Sequence, residues 1–383
     1  MQVKFKLIAG AAILALGASA FAQDMIVKIG HVGPTSGAIA HLGKDNENGA
    51  RMAIDELNAK GVMIGGKKAK FELLAEDDGA DPKQGTAAAQ KLVDSKVNGV
   101  IGHLNSGTTI PASKIYFDAG IPQISPSATN TKYTRQGYKT AFRVVADDGG
   151  LGGTLGRYAV TEVKGKRIAV IDDRTAYGQG VADEFEKGVK SAGGSTVGRE
   201  FTNDKATDFT AILTSLKAKN PDVVFFGGMD AVAGPMLRQM KQLGITAKFM
   251  GGDGICSGEL PKLAAGTMAD GQVICAEAGG IEPSDAAGLK GMEEFKAKFK
   301  TKFKADVQIY APYVYDALNL MVDAMVKAGS AEPAKYLPVL AKTTGYKGVT
   351  GTISFDDKGD IKNGALTLHS YKGDKQTNIG VVR

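Results

Sequence analysis

The stretch Val100-Ile-Gly-His-Leu-Asn-Ser-Gly-Thr-Thr-Ile-Pro-Ala-Ser113 predicts a strand, a turn and a helix in succession. Its apolar start predicts a strand over 97–104, the turn falls at 105–107, and a helix over 108–117 has Pro111 in its first turn. Such a unit presents unpaired backbone N–H groups and the positive end of the helix dipole. With the hydroxyls of Ser106 and Thr108, this end of the helix suits a carboxylate or a phosphate.

A second turn rich in hydroxyl groups follows the next predicted strand. The stretch Ile124-Ser-Pro-Ser-Ala-Thr-Asn130 predicts a short strand and then a turn that carries Ser127 and Thr129. Ligands of open α/β sheets bind beyond the carboxyl ends of the strands. Either turn alone is better explained as an ordinary cap, but the pair favours a binding site.

Strands and helices alternate in two series along the rest of the chain. The predicted strands are 25–32, 69–76, 167–172, 195–201, 222–228 and 248–251, and the helices between them are 46–59, 82–94, 179–192, 208–218 and 232–243. This alternation predicts mostly parallel sheets with helices on both faces. The chain of 383 residues is longer than one core usually serves, so we expect two domains.

The predicted crossings between the two domains fall near 144–148 and 276–279. After the second crossing, helices are predicted over 283–303, 311–328 and 333–341, and closing strands over 363–371 and 378–382.

The first 22 residues have the pattern of a secretory signal peptide. Lys4 and Lys6 precede an apolar run at 7–16, and Ala20-Phe-Ala22 fits the rule of small residues at a cleavage site. The apolar run is too short to span a bilayer. We therefore expect a mature chain that begins at Gln23, is exported as a soluble protein and does not insert into the membrane.

Charge gives little support for a nucleic-acid partner. Lys and Arg exceed Asp and Glu by six, and the densest basic run is 290–304. In that run Phe295, Phe299 and Phe303 recur every fourth residue, which predicts an amphipathic helix with a solvated lysine face.

Cys256 and Cys275 are the two cysteines of the chain. In an exported protein a disulfide between them is expected, and closing a loop of this length contributes about 3 kcal/mol in the chain-entropy model. Two free thiols are the alternative. The four histidines are scattered without a Cys/His cluster, so we expect neither a metal nor another cofactor.

The chain resembles the type I periplasmic binding proteins, specifically the leucine/isoleucine/valine-binding proteins of bacterial ABC importers, over essentially the whole mature chain. The residues that carry the resemblance are Asp77-Asp78, Asp81-Pro82, 100–104, Ser106, 111–113, Ser125-Pro126, Ala128-Thr129, Asp173, Tyr177-Gly178, 249–253 and 355–360. The resemblance implies two doubly wound, three-layer α/β lobes joined by three crossovers. Residues 23–147 and 277–362 would form lobe 1, and 148–276 and 363–383 lobe 2, with the ligand in the cleft.

The resemblance also implies roles for individual residues. Ser106, Ser127 and Thr129 would take the α-carboxylate and part of the ammonium group of an amino acid. Tyr177 and Asp253 would be their partners on the second lobe, with Asp253 taking the ammonium group.

The side-chain pocket of the ligand is implied at Leu42, Met229 and Tyr310. The family commonly has a tyrosine in place of Leu42, an aromatic residue near Met229 and a glutamate in place of Asp253. From the residues alone, the Gly-Gly-Asp-Gly context of Asp253 fits a plain turn equally well.

The function implied is capture of an apolar amino acid of the branched-chain type by a monomeric, non-enzymatic protein that delivers it to an inner-membrane ABC permease. Two alternatives stay open: the same fold binding another small carboxylate or amide, and a ligand-sensing module for a receptor partner. Residues 149–156 are glycine-rich but lack the Gly-x-Gly-x-x-Gly spacing of dinucleotide-binding proteins, so we expect a hinge or a helix start there.

Overall fold

The computed structural model describes residues 24–382, so the predicted signal peptide lies outside the described residues. Two large sheets and a hairpin contain the strands. They are β1 Met25–Gly33, β2 Met63–Ile64, β3 Lys67–Asp77, β4 Gly99–Gly102, β5 Gln123–Ser125, β6 Ala141–Arg143, β7 Ile168–Asp172, β8 Thr196–Phe201, β9 Val223–Gly227, β10 Lys248–Gly251, β11 Val273–Glu277, β12 Tyr346–Gly348, β13 Gly351–Ile353, β14 Leu366–Lys372 and β15 Lys375–Val382.

Helices lie between the strands, as the alternating pattern predicts. They are α1 Ala40–Lys60, α2 Pro82–Asp94, α3 Ser106–Asp118, α4 Lys132–Arg135, α5 Asp148–Thr161, α6 Ala176–Ser191, α7 Thr210–Ala218, α8 Asp230–Gln242, α9 Leu260–Leu263, α10 Ala286–Phe303, α11 Ala311–Ala328 and α12 Pro333–Leu340, with a short 3-10 helix at Asp253–Ile255.

The first sheet has the strand order β2-β3-β1-β4-β5-β6, and all its pairs are parallel except β2 with β3. Helices cover both faces. Ile101 packs with residues of α1 and α11, whereas its neighbour Val100 packs with residues of α2 and α3. A strand buried on both faces explains the run of apolar residues in the sequence of β4.

The second sheet has the order β15-β14-β11-β10-β9-β7-β8. Strand β14 pairs antiparallel with both β11 and β15, and the other pairs of this sheet are parallel. Phe225 of β9 packs with α6, and Phe226 packs on the other face with α7 and α8. We call the first sheet with its helices the first lobe and the second sheet with its helices the second lobe. The chain passes between them after β6, after β11 and before β14, which confirms the predicted fold class; the lobe boundaries by residue number stay a prediction.

Several helices begin earlier than the sequence predicts. The structure starts α3 at Ser106, so the expectation that Pro111 lies in its first turn is wrong: Pro111 is inside the helix, in the second turn. Similarly, α1 begins at Ala40 although its first residues are polar and typical of a loop. Asp45 holds this part of the helix in place, because its carboxylate contacts the beginning of α11. The hydroxyl of Thr175 caps α6, which begins at Ala176, three residues before its predicted start.

The glycine-rich stretch at 149–156 lies within α5 and lets that helix pack closely on α6. A Cβ atom at Gly156 would come within 2.1 Å of the carbonyl oxygen of Phe185, and one at Gly152 within 2.4 Å of the carbonyl oxygen of Val181. The glycines therefore serve helix packing beside the first crossing.

The expected disulfide is present between Cys256 and Cys275, and both residues are fully buried. It ties the end of the 3-10 helix to β11, next to the carboxyl edge of the second sheet. Within residues 24–382 no helix is long and apolar enough to cross a membrane.

Candidate functional site

The two lobes face each other across the ends of their strands. In an open α/β sheet, ligands bind where the strand order reverses. That reversal falls between β1 and β4 in the first sheet and between β7 and β9 in the second. The chain leaves β4 towards Ser106, β7 towards Tyr177 and β9 towards Met229, so these three residues meet at the cleft.

A small cavity of about 10 Å³, room for about one water molecule, lies at this position. The residues that line it are Leu104, Asn105, Ser106, Ser127, Tyr177, Met229, Asp253 and Tyr310. Ser106, Ser127 and Tyr310 belong to the first lobe, and Tyr177 and Asp253 to the second.

The first-lobe wall consists of two turns joined by hydrogen bonds. The Ser127 hydroxyl donates to the carbonyl oxygen of Leu104 at 3.1 Å, and the Ser106 hydroxyl accepts from the N–H of Asn130 at 3.2 Å. In the first turn of α3 the N–H groups of Thr108 and Thr109 donate to the carbonyl oxygen of Asn105, so those of Ser106 and Gly107 are left to point out of the helix end. This wall therefore offers neutral donors and a positive helix dipole, which together suit a carboxylate.

The buried side-chain oxygen of Asn105, beside this wall, has no hydrogen-bond partner. The buried hydroxyl of Thr129 has none at close range either, but it lies beside the carboxylate of Asp148. Burial raises the pKa of Asp148, and the contact with Thr129 acts against this rise. Because the contact is weak, the Thr129 hydroxyl in the second turn remains a candidate donor to a ligand.

The second-lobe wall is centred on the buried carboxylate of Asp253. The hydroxyls of Tyr177 and Tyr310 donate to its two oxygens at 2.8 Å and 2.9 Å. Burial raises the pKa of Asp253 to about 6, although these two hydrogen bonds work in the opposite direction. Among the described residues no lysine, arginine or histidine hydrogen-bonds to Asp253, so its charge is available to a cation.

Both tyrosines stay protonated. Burial and the nearby charge of Asp253 raise the pKa values of Tyr177 and Tyr310 well above that of an ordinary tyrosine. They therefore act as donors to the carboxylate at neutral pH.

Tyr310 reaches Asp253 from the other lobe, so their hydrogen bond closes the cleft. Asp45 holds Tyr310 in place, because its carboxylate accepts the backbone N–H groups of four consecutive residues at the start of α11, 308–311. Nothing in the local sequence predicts this role of Asp45, because the residues that it contacts are so distant in the chain.

The glycines on either side of Asp253 make room for Tyr177. A Cβ atom at Gly252 would lie 2.6 Å from the Tyr177 hydroxyl, and one at Gly254 would lie 2.8 Å from its ring. The N–H of Gly254 also donates to that hydroxyl at 3.0 Å. The Gly-Gly-Asp-Gly sequence therefore serves the contact between tyrosine and carboxylate as well as the turn.

A family model described as periplasmic binding protein matches residues 26–375. The chain belongs to the periplasmic binding protein family. The "Leu/Ile/Val-binding protein homolog 1" of Brucella abortus is 38% identical over 368 residues, which are 96% of this chain and 95% of that protein.

Two solved structures extend the comparison to the fold. A leucine binding protein of Thermotoga maritima is 26% identical with a TM-score of 0.85 and covers 93% of this chain and 99% of its own. A branched-chain amino acid transporter substrate binding protein of Streptococcus pneumoniae, solved in complex with isoleucine, is also 26% identical with a TM-score of 0.81 and the same coverage. The predicted resemblance and fold are thus confirmed.

The structure brings together most of the residues that sequence analysis assigned to this periplasmic binding protein's site. The cavity is lined by Ser106, Ser127, Tyr177, Met229, Asp253 and Tyr310. Leu42 and Thr129 do not line it: Leu42 is fully buried in the core, and Thr129 lies buried beside the carboxylate of Asp148. Leu104 and Asn105 line the cavity and were missed, although they directly precede Ser106 in the sequence.

Proposed function

We propose that this chain binds an apolar α-amino acid of the branched-chain type between its lobes in the periplasm and delivers it to an inner-membrane ABC permease. The observation that supports the proposal is that two binding groups, one for an anion and one for a cation, face each other across one cavity. The start of α3 offers N–H and hydroxyl donors, and Asp253 offers a buried negative charge. A zwitterion needs an anion-binding site and a cation-binding site within a few ångströms of each other.

In this proposal the α-carboxylate lies against the start of α3, Ser106 and Ser127, and the Thr129 hydroxyl exchanges its weak contact with Asp148 for the ligand. The ammonium group pairs with Asp253. The cavity widens to admit the ligand, and Leu104, Met229 and the ring of Tyr310 then surround its apolar side chain. The names of the similar proteins from Brucella abortus and Thermotoga maritima point to the same class of ligand.

Binding would act by closure of the two lobes. Because Tyr310 meets Asp253 across the cleft, the second-lobe carboxylate is completed by a first-lobe donor only in the closed form. A ligand that contacts both walls shifts the population towards this form. The closed monomer then docks on the permease; no chemical step is required, so the protein acts as a carrier and not as an enzyme.

A thermal-shift screen tests the ligand class. The protein, freed of carried-over ligand by unfolding and refolding, is tested with leucine, isoleucine and valine. It is also tested with 4-methylpentanoate, which lacks the ammonium group of leucine, and with isopentylamine, which lacks its carboxylate. A ligand at 100 times its Kd adds about 2.7 kcal/mol of stability.

We expect stabilisation by the amino acids and by neither half-analogue. Stabilisation by 4-methylpentanoate equal to that by leucine would mean that the chain binds simple carboxylates and that Asp253 has no cation to bind. If none of the three amino acids stabilises the protein, the proposed ligand class is wrong, whereas the fold is unaffected.

A further inference from the structure

A second contact between the lobes lies outside the cavity. His41 on α1 places its Nε2 atom 2.7 Å from Oδ2 of Asp230, the first residue of α8. The hydroxyl of Ser257 donates to the same carboxylate oxygen. His41 belongs to the first lobe, and both Asp230 and Ser257 belong to the second. Asp230 directly follows Met229, which lines the cavity, so this contact forms at the edge of the proposed site.

The carboxylate of Asp230 is fully buried, and its other oxygen has no hydrogen-bond partner. A buried carboxylate is stabilised mainly by a cation and strong donors at close range. Among the described residues no lysine or arginine forms an ion pair with Asp230. His41 is therefore the group that can neutralise Asp230, and it can do so only while the cleft is closed.

We propose that His41 and Asp230 form an electrostatic latch that stabilises the closed form and makes ligand affinity depend on the charge of His41. The latch rests on the proposed function, since closure is what a ligand would select. His41 and Asp230 are positioning residues: neither lines the cavity, and each acts by holding the lobes together around it.

The charges that face His41 favour its protonation in the closed form. Burial opposes the positive charge, but the hydrogen bond and the charge of Asp230 outweigh it, and Glu259 and Asp45 add to the effect, so the pKa of His41 is raised. The latch is therefore fully formed below the ordinary histidine pKa of about 6.5 and is lost as the pH rises through the raised pKa. In the open form His41 loses Asp230 and binds its proton less tightly.

Calorimetric titration of leucine between about pH 6 and pH 8.5, a range that spans histidine titration, tests the latch. The test variant is His41→Gln, which keeps a donor of similar reach without a titratable charge. The matched control is His369→Gln, because His369 lies 3.3 Å from Glu277 but both residues belong to the second sheet.

For the parent we expect affinity to fall as the pH rises. At about pH 6, His41→Gln should bind about tenfold more weakly than the parent, the scale of one charge-assisted hydrogen bond, and its affinity should change little with pH. His369→Gln should follow the parent. A His41→Gln variant with the pH profile of the parent would overturn the latch.

Small-angle X-ray scattering of the ligand-free protein separates failure of the latch from failure of the proposed function. If the parent binds no amino acid, the function is wrong, but the latch still predicts a larger radius of gyration for His41→Gln than for the parent at about pH 6, with His369→Gln unchanged. Equal scattering from the parent and His41→Gln there would refute the latch independently of any ligand.

Discussion

The two walls of the cleft offer a ligand different kinds of electrostatic interaction. The first-lobe wall, at the start of α3, consists of hydroxyls and backbone N–H groups and has no charged side chain lining the cavity. The second-lobe wall has a full negative charge on Asp253, buried and held by two tyrosines. An anion can be held by many partial charges because a helix end supplies several donors at once. The ammonium group of an amino acid, by contrast, is bound most strongly by one carboxylate.

The structures that support the two walls also differ: hydrogen bonds support the first, and a covalent cross-link supports the second. The first-lobe turns are tied to each other through Ser106 and Ser127 by hydrogen bonds. The second-lobe carboxylate lies on a short helix that ends at the disulfide-bonded Cys256. A buried charge needs fixed partners, and a covalent cross-link close to Asp253 helps to keep them fixed. From this difference we expect that one substitution disables the second wall, whereas the first wall loses affinity in smaller steps.

The largest effect is expected for Asp253→Asn. If Asp253 pairs with the ligand's ammonium group in the closed cleft, the amide leaves a buried cation without its counter-charge. Breaking such a pair costs about 3–5 kcal/mol, a loss of affinity of roughly 10²- to 10³-fold or more. Calorimetric titration of the best ligand measures it, and the melting temperature without ligand should not fall.

The parent should show a pH dependence that Asp253→Asn lacks. Burial raises the pKa of Asp253 to about 6. A bound ammonium group favours the ionised form and so lowers that pKa, which means that affinity falls as the pH drops below about 6. Affinity of the variant within a few-fold of the parent would show that Asp253 only forms the turn.

The sequence predicted the alternating framework well because its strands are apolar on both faces and its helix caps are local. Asp81, for example, accepts the N–H groups of Lys83 and Gln84 as its position before Pro82 predicts. Helix starts were predicted less well. The beginning of α1 is set by Asp45, whose partners lie more than 260 residues further along the chain, and no local pattern reports such a contact.

In the site, too, residues that depend on local sequence were predicted and those that depend on long-range contacts were not. Ser106 and Ser127 were predicted from the turns in which they lie, and Asp253 from the resemblance. By contrast, the packing of Leu42 into the core and the contact between His41 and Asp230 depend on how the first lobe meets the second. His41 and Asp230 are far apart in sequence, and each alone is an ordinary polar residue at a helix start.

An intermediate effect is expected for Thr129→Val on the first-lobe wall. Because the Thr129 hydroxyl makes only a weak contact, with the Asp148 carboxylate, removing it should change the melting temperature of the ligand-free form little. If that hydroxyl donates to the ligand's carboxylate, its loss costs about 1.5–3 kcal/mol, or roughly ten- to a hundredfold in Kd.

Thr140→Val is the matched control, since Thr140 is also buried with no close hydrogen-bond partner but precedes β6, outside the two turns of the first-lobe wall. Its affinity should equal that of the parent. Equal affinities for the parent and Thr129→Val would show that Thr129 does not bind the ligand and that the start of α3 alone binds the carboxylate.

The smallest effect is expected for Tyr310→Phe, which removes the donor that joins the two walls. The Tyr310 hydroxyl donates to Asp253 at 2.9 Å across the cleft, whereas Tyr177 holds the same carboxylate from within its own lobe. Tyr310→Phe should therefore weaken the closed form and leave the second-lobe wall assembled. We expect a loss of about 1 kcal/mol, roughly fivefold in Kd, seen mainly as faster ligand release.

Tyr336→Phe is the control for this substitution, because the Tyr336 hydroxyl donates to the carbonyl oxygen of Asn98 at 2.7 Å, away from the cleft. It should lower the melting temperature without changing the rate of ligand release, while Tyr310→Phe should change the release rate with little effect on the ligand-free melting temperature. Stopped-flow measurement of release separates the two. If both variants release ligand at the parent's rate, the hydrogen bond between Tyr310 and Asp253 contributes nothing to closure, and the two walls are joined through the ligand and the remaining interlobe contacts.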